Sequence, residues 1–269
     1  MRRMSTQPRF FATIAAIALS TVTLLAQPAS YRAKVQSTPR FLQTDRDAGF
    51  ENAGDQFCAP TAVSNSLMWL ANHGYKELKP AASSEKAAQI RMIKLLADSD
   101  LMNTNPQKGT DVSEVIAGVQ GYVENAGYEV ESLQYSGWRP APEDAAAGET
   151  PDIDAVKEAI ANPRGAAWLN VGWYRYDEES GDYARSGGHW VTVVGYDGDD
   201  LLIHDPSPRA GTGFSTQRIT LEAIEEGQLT GRQANLPRSA EGYFIVGGEM
   251  KVSKNITCIL DGAVVMKLR

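Results

Sequence analysis

Gln56-Phe57-Cys58-Ala59-Pro60-Thr61-Ala62-Val63-Ser64-Asn65-Ser66-Leu67-Met68-Trp69-Leu70 reads as a cysteine at the mouth of a buried helix. Pro60 and Thr61 suit a helix start, where proline's fixed φ is already helical and its missing N–H has no partner to lose. From Ala62 to Ala71 only Ser64, Asn65 and Ser66 are polar. Most of the helix circumference must therefore be covered by protein. Gly74, just past His73, ends the run by accepting a left-handed conformation. Cys58 then sits where unpaired N–H groups and the helix dipole favour an anion, and a thiolate is an anion.

A cysteine in such a place is a small buried hydrophobe, half of a disulfide, or a nucleophile. The choice rests on two stretches far downstream, Gly187-Gly188-His189-Trp190-Val191-Thr192-Val193-Val194-Gly195-Tyr196 and Ile203-His204-Asp205-Pro206. A thiol nucleophile needs a base, and the base needs an acceptor to orient it. His189 opens an apolar strand after two glycines, which leave its surroundings open to a substrate. Asp205 ends the next strand, with Pro206 holding it extended. A carboxylate beside imidazole fixes the tautomer and raises the imidazole pKa, favouring a thiolate–imidazolium pair. If the intervening turn is tight, Asp205 pairs nearer Thr192 than His189, so contact between them requires a diagonal reach across a twisted hairpin.

The chain has 269 residues, 42% of them hydrophobic, and a formal net charge of -7. That is enough for one large domain or two small ones. With no basic run after the N-terminus, nothing favours a nucleic-acid partner. Arg2, Arg3 and Arg9 precede an apolar run from Phe10 to Ala26, the pattern of a secretory signal peptide over residues 1–26, with cleavage after Ala26. This predicts an exported protein, periplasmic or extracellular, with no stable membrane span after cleavage; a retained membrane anchor is the competing reading. Cys58 and Cys258 are the only cysteines, and in an exported chain an even pair raises a disulfide as the alternative to a free thiol. The three histidines and two cysteines show no metal-ligand spacing, so no metal and no cofactor is expected.

Residues 27–44 read as a linker or short pro-segment, and the domain is expected over 45–269. Ser84 predicts the cap of a helix carrying Ala88, Met92, Leu95 and Leu96 inward. Asp111 with Glu114 predicts a capping box before the apolar face Val112, Val115, Ile116, Val119 and Val123. Tyr128 to Tyr135 is expected as a strand and Trp138 to Pro151 as an exposed loop. A short helix follows Asp152 and stops at Pro163. From Ala166 the pattern turns β. Strands are expected over 166–176, 189–196, 201–205, 243–246 and 264–268, with a polar loop over 177–187 and a tight turn at Asp197–Asp200. Helices first and strands second argue for an α+β domain, its N-terminal helices packed on a C-terminal antiparallel sheet.

The order Cys58, His189, Asp205, with the cysteine opening a helix and the others on a hairpin, resembles the papain-like cysteine peptidases. Asp followed by proline, and Cys-x-Pro-Thr after the nucleophile, are similar to the C39-like branch. The resemblance implies a papain-like fold and hydrolysis of peptide or protein amide bonds through an acyl-enzyme. Cys58 would be the nucleophile, His189 the base and then the acid, and Asp205 the orienter. The oxyanion would take the Cys58 backbone N–H and a side-chain amide. The family places a Gln six residues before the nucleophile, where this chain has Asn52, while Gln56 lies two before; Gln56 is favoured for its reach, with Asn52 as the alternative. Two other functions stay open: a catalytically inactive binding module on the same scaffold, and an amidase or acyltransferase using the same triad. His204, beside Asp205 but facing the opposite side of the strand, is expected to be packed or surface-exposed rather than chemical. Trp69, Trp168, Trp173 and Trp190 are expected in the core or the cleft wall.

Overall fold

The computed structural model describes residues 28–210, 215–231, 237–250 and 252–269. The expected signal peptide over 1–26 lies outside the described residues. Four helices, α1 (Cys58–Asn72), α2 (Glu85–Ala97), α3 (Val112–Asn125) and α4 (Ile153–Ala161), accompany one sheet. Its strands are β1 (Ser30–Tyr31), β2 (Val130–Gly137), β3 (Ala146–Gly148), β4 (Gly165–Asp177), β5 (Asp182–Asp197), β6 (Asp200–His204), β7 (Gln217–Ile219), β8 (Leu221–Ala223), β9 (Gln228–Gly231), β10 (Arg238–Ser239), β11 (Phe244–Val246) and β12 (Thr257–Leu268). Helices precede most of the strands and pack against a mostly antiparallel sheet, the α+β arrangement expected; among the described residues only β2–β3 and β5–β9 run parallel.

The centre of the sheet is β5-β4-β12. Alternation along β4 serves two cores. Trp168 turns to a cluster with α1, α2 and α3, while Leu169 and Val171 turn to one with Val156 and Ile160 of α4. Every residue of α1 from Cys58 to Ala71 is buried, so its polar groups must find partners inside the protein. Asn65 accepts from Gln89 Nε2 at 2.8 Å and donates to Thr192 Oγ1 at 3.3 Å. Thr192 in turn donates to the Ala62 carbonyl at 2.7 Å, and Trp168 Nε1 donates to the same oxygen at 3.2 Å. The first turn of α1 is thereby tied to both β4 and β5.

Several boundaries differ from the sequence expectation. Strand β12 begins at Thr257, well before Val264, because Asp261 forms a bulge between Leu260 and Gly262 that breaks the apolar pattern without ending the strand. One half of β12 pairs β11 and the other pairs β2. The 177–187 stretch is strand from Asp182, a continuation of the β4–β5 hairpin rather than a loop. Trp138 is buried and β3 lies inside the stretch expected as an exposed loop. On α2 the inward residue is Ile93, while Leu95 is exposed.

Residues 28–44, expected as a linker or short pro-segment, are packed on the domain. β1 pairs the end of β5. Lys34 is buried, its Nζ donating to the Asn162 and Gly165 carbonyls at 2.7 Å each and lying over the Trp69 ring. His204 is packed, as expected, and holds the same segment through Nδ1 to the Pro39 carbonyl at 3.0 Å, while its Nε2 accepts from Arg40 Nε at 3.1 Å. Burial lowers its pKa to about 4, so the ring is neutral and able to accept that bond.

The Thr192 hydroxyl bridges α1 and β5, donating to Ala62 and accepting from Asn65. Replacing it in Thr192→Val leaves the Asn65 amide and one Ala62 lone pair without their partner, which should lower stability by about 1–3 kcal/mol. Chemical denaturation measures this; an unchanged midpoint would show that the bridge contributes nothing.

Candidate active site

The outer edge of β5 is occupied in two separate places. β6 pairs it from Thr192 onward and β9 pairs it up to Arg185. Between them, among the described residues, Gly187 to Val191 have a sheet partner on the β4 side only. The candidate site is built in that gap, with His189 in its middle and the N-terminus of α1 pointing into it.

Loop geometry sets the approach to Cys58. Asn52, Ala53 and Gly54 all have positive φ, and a Cβ on Gly54 would lie 1.7 Å from the Gln43 carbonyl oxygen. Only glycine fits there. Gln43 Nε2 donates to the Gly54 and Asp55 carbonyls at 3.0 and 2.9 Å, and Gln43 N donates to the Pro206 carbonyl at 2.9 Å. One glutamine thus ties the loop before Cys58 to the loop after Asp205.

His189 Nε2 and Asp205 Oδ1 are 2.6 Å apart, both side chains buried. The register Thr192–His204 sets Asp205 just beyond β6, so the bond to His189 is the diagonal one. Asp205 Oδ1 also accepts from Ser207 N at 2.8 Å, and the Trp173 ring stacks on the imidazole at 6.0 Å between centroids. With Nε2 engaged by Asp205, Nδ1 is left for the Cys58 thiol, which lines the same cleft and helps to raise the imidazole pKa. Burial by itself would lower the imidazole pKa; the Asp205 charge and the bonds to Asp205 and Cys58 outweigh it and raise the value from 6.5 to about 9. Burial would likewise raise the Asp205 pKa, and His189 together with the Ser207 N–H holds it below the usual carboxylate range.

Two cavities, about 510 and 540 Å³, meet here and share Gln56, Cys58, Lys108, Gly188 and His189. One extends past Trp190, Asn170, Arg185 and Arg139 toward the start of α3; the other extends past Trp173, Ser207 and Arg209. Cys58 therefore stands midway along a cleft. Gln56 lines both halves, while Asn52 lines neither and donates its amide to the Pro106 carbonyl at 3.0 Å. The structure thus brings Cys58, His189, Asp205 and Gln56 together and leaves Asn52 apart. Cys58 and Cys258 are both free, and Cys258 sits buried beside Met250. Trp168 is core, and Trp173 and Trp190 form cleft wall.

Sequence reasoning missed Arg139 and Arg185 as cleft residues. It also read Gly187 and Gly188 as leaving space for substrate. A Cβ on Gly188 would lie 2.2 Å from Arg185 Nη2, so that space is filled by the chain's own guanidinium. Among the described residues no group of three or more His, Cys, Asp or Glu side chains is placed to hold a metal, and no helix is long and apolar enough to cross a membrane.

A sequence model described as the Peptidase_C39 like family matches residues 35–226. No curated protein and no solved structure gave a match.

The raised imidazole pKa has a stability consequence with a definite sign. A group whose folded pKa lies above its unfolded value stabilises fully below the unfolded value, near 6.5, and loses that contribution as pH rises through about 9. Ring-proton NMR should show the His189 midpoint near 9 in the native chain and well below it in Asp205→Asn, where only Cys58 still opposes burial. The stability lost in Asp205→Asn should be greatest below pH 6.5 and shrink toward pH 9. A midpoint indifferent to the substitution would dismiss the carboxylate as the cause.

Proposed function

From the premise that this chain belongs to the Peptidase_C39 like family, we propose that it is a cysteine peptidase acting through Cys58, His189 and Asp205. Membership implies a peptide substrate. The observation that carries the finer reading is the His189–Asp205 hydrogen bond beside Cys58, set midway along a cleft open on both sides. A cleft that continues past the sulfur in two directions accommodates residues on either side of an internal amide bond.

The thiolate of Cys58 attacks the carbonyl carbon, and charge moves to the carbonyl oxygen. In this reading the Cys58 backbone N–H, at the first turn of α1, and the amide of Gln56, which lines both halves of the cleft, donate to that oxyanion. His189 then hands its proton to the departing amine, leaving a thioester, and later takes a proton from the water that hydrolyses it. Asp205 keeps Nε2–H engaged throughout, so that Nδ1 stays on the thiol side. The free edge of β5 at Ser186–Gly188 offers main-chain groups to an extended peptide.

The export reading is part of the same proposal. It rests on Arg2, Arg3 and Arg9 ahead of the Phe10–Ala26 apolar run, and on the start of β1 at Ser30, just past the cleavage point after Ala26.

A vinyl-sulfone or epoxide peptide should form one adduct, located at Cys58 by mass spectrometry, and Cys58→Ala should neither trap it nor cleave peptides. Gln56→Ala should lower kcat/KM by about 10²–10³-fold, the size expected for one oxyanion donor, with Asn52→Ala near the native value. Products formed with an added amine separate hydrolysis from acyl transfer. Native chain that resists the probe while retaining its fold would leave the inactive binding module as the reading.

A further inference from the structure

One half of the cleft carries a feature that the chemistry above leaves unused. Asp261, wholly buried at the β12 bulge, accepts from Arg185 Nε at 2.7 Å and from Trp138 Nε1 at 3.0 Å, and from the Tyr174 hydroxyl. Arg185 is thereby held by one nitrogen, and its guanidinium lies close against Gly188, where an added Cβ would come within 2.2 Å of Nη2. Its side chain is 15% exposed, and that exposure is to the cavity shared with Cys58 and His189. The two Nη groups, four N–H donors, have no hydrogen-bond acceptor among the described residues. Arg139 lines the same wall, 8% exposed, its guanidinium over the Trp138 ring at 4.9 Å. Two guanidiniums therefore line one wall of the cavity, and that of Arg185 keeps its Nη donors for a ligand.

We propose that this wall is an anion-binding subsite that receives a carboxylate of the peptide substrate, an acidic side chain close to the scissile bond. The end-on face of a guanidinium, its two Nη groups side by side, matches the two oxygens of a carboxylate. Because Asp261 and Gly188 already fix Arg185, little side-chain entropy is lost when the acid arrives. Asp111 and Glu114 line the same cavity but are engaged in the α3 capping box, so the end nearest α3 repels an acid that the Arg185 wall attracts. The subsite accordingly selects a position along the peptide as well as a charge. This inference rests on the peptidase reading for the substrate's class; its test separates the two.

Quenched peptides in one frame, with Glu, Gln and Lys exchanged at each position, give kcat/KM; the same peptides bound to the Cys58→Ser full chain give affinity without chemistry. At one position Glu should exceed Gln by about tenfold or more in both measurements, the size one charge-assisted bond supports. Salt should shrink the ratio. Arg185→Lys should lower it while keeping a cation on Asp261, and Arg139→Gln should lower it without touching the Asp261 pair. Cleavage or binding with Glu and Gln equal at every position overturns the subsite and spares the peptidase. Selective binding of Glu peptides with no cleavage by the native chain supports the subsite and overturns the peptidase. Absence of both cleavage and binding overturns the subsite as well.

Discussion

The carbonyl oxygen of Ala62 holds this molecule's two halves in register. It takes the Thr192 hydroxyl from β5 and the Trp168 indole from β4, one turn past Cys58 on a helix with no exposed face before its last residue. A helix buried all round has no amphipathic preference to set its rotation about its own axis. Directional bonds must do that instead, and these two fix the side from which the sulfur meets His189. The Asn65 amide, bonded both to Thr192 and to Gln89 on α2, extends the same control to the helical layer.

A second constraint acts at the other end of the cleft. β12 changes its outer partner from β11 to β2 at Asp261, and β5 carries its own irregularity between Arg185 and Gly187. The two bulges are bridged by the Arg185–Asp261 pair, beneath the residue that precedes His189. A buried ion pair of this sort contributes little net stability when compared with a well-packed apolar core. Its role is geometric. It holds the β5 backbone against β4 over the span where β5 has no neighbour on its outer edge, and where a sheet would otherwise have most freedom to bend.

Local features were legible in the sequence where their cause is local. The α1 run, the Asp111–Glu114 capping box, the Asp152 cap and the Asp197–Asp200 turn each depend on residues a few positions apart, and each stands where the pattern placed it. The Cys58, His189 and Asp205 juxtaposition was read from chemistry and order, and the diagonal reach it required is the one observed. What escaped notice depends on distant partners. Asp261 and Gly262 interrupt an apolar run and read as a break, because nothing nearby reveals that Arg185 and Trp138 neutralise the carboxylate. Residues 28–44 are too short and polar to announce a structural role, yet Lys34 finds its acceptors at Asn162 and Gly165. Buried arginines in a cleft leave no periodic trace.

The placement of β12 also bears on when this chain can fold. It is made after every other strand and yet lies at the middle, against β4, β2 and β11. Until Leu268 has left the ribosome, β4 lacks one neighbour and β2 and β11 lack their shared one, so neither core can close. Such late, long-range pairing makes folding slow, with both cores waiting on the one strand that joins them.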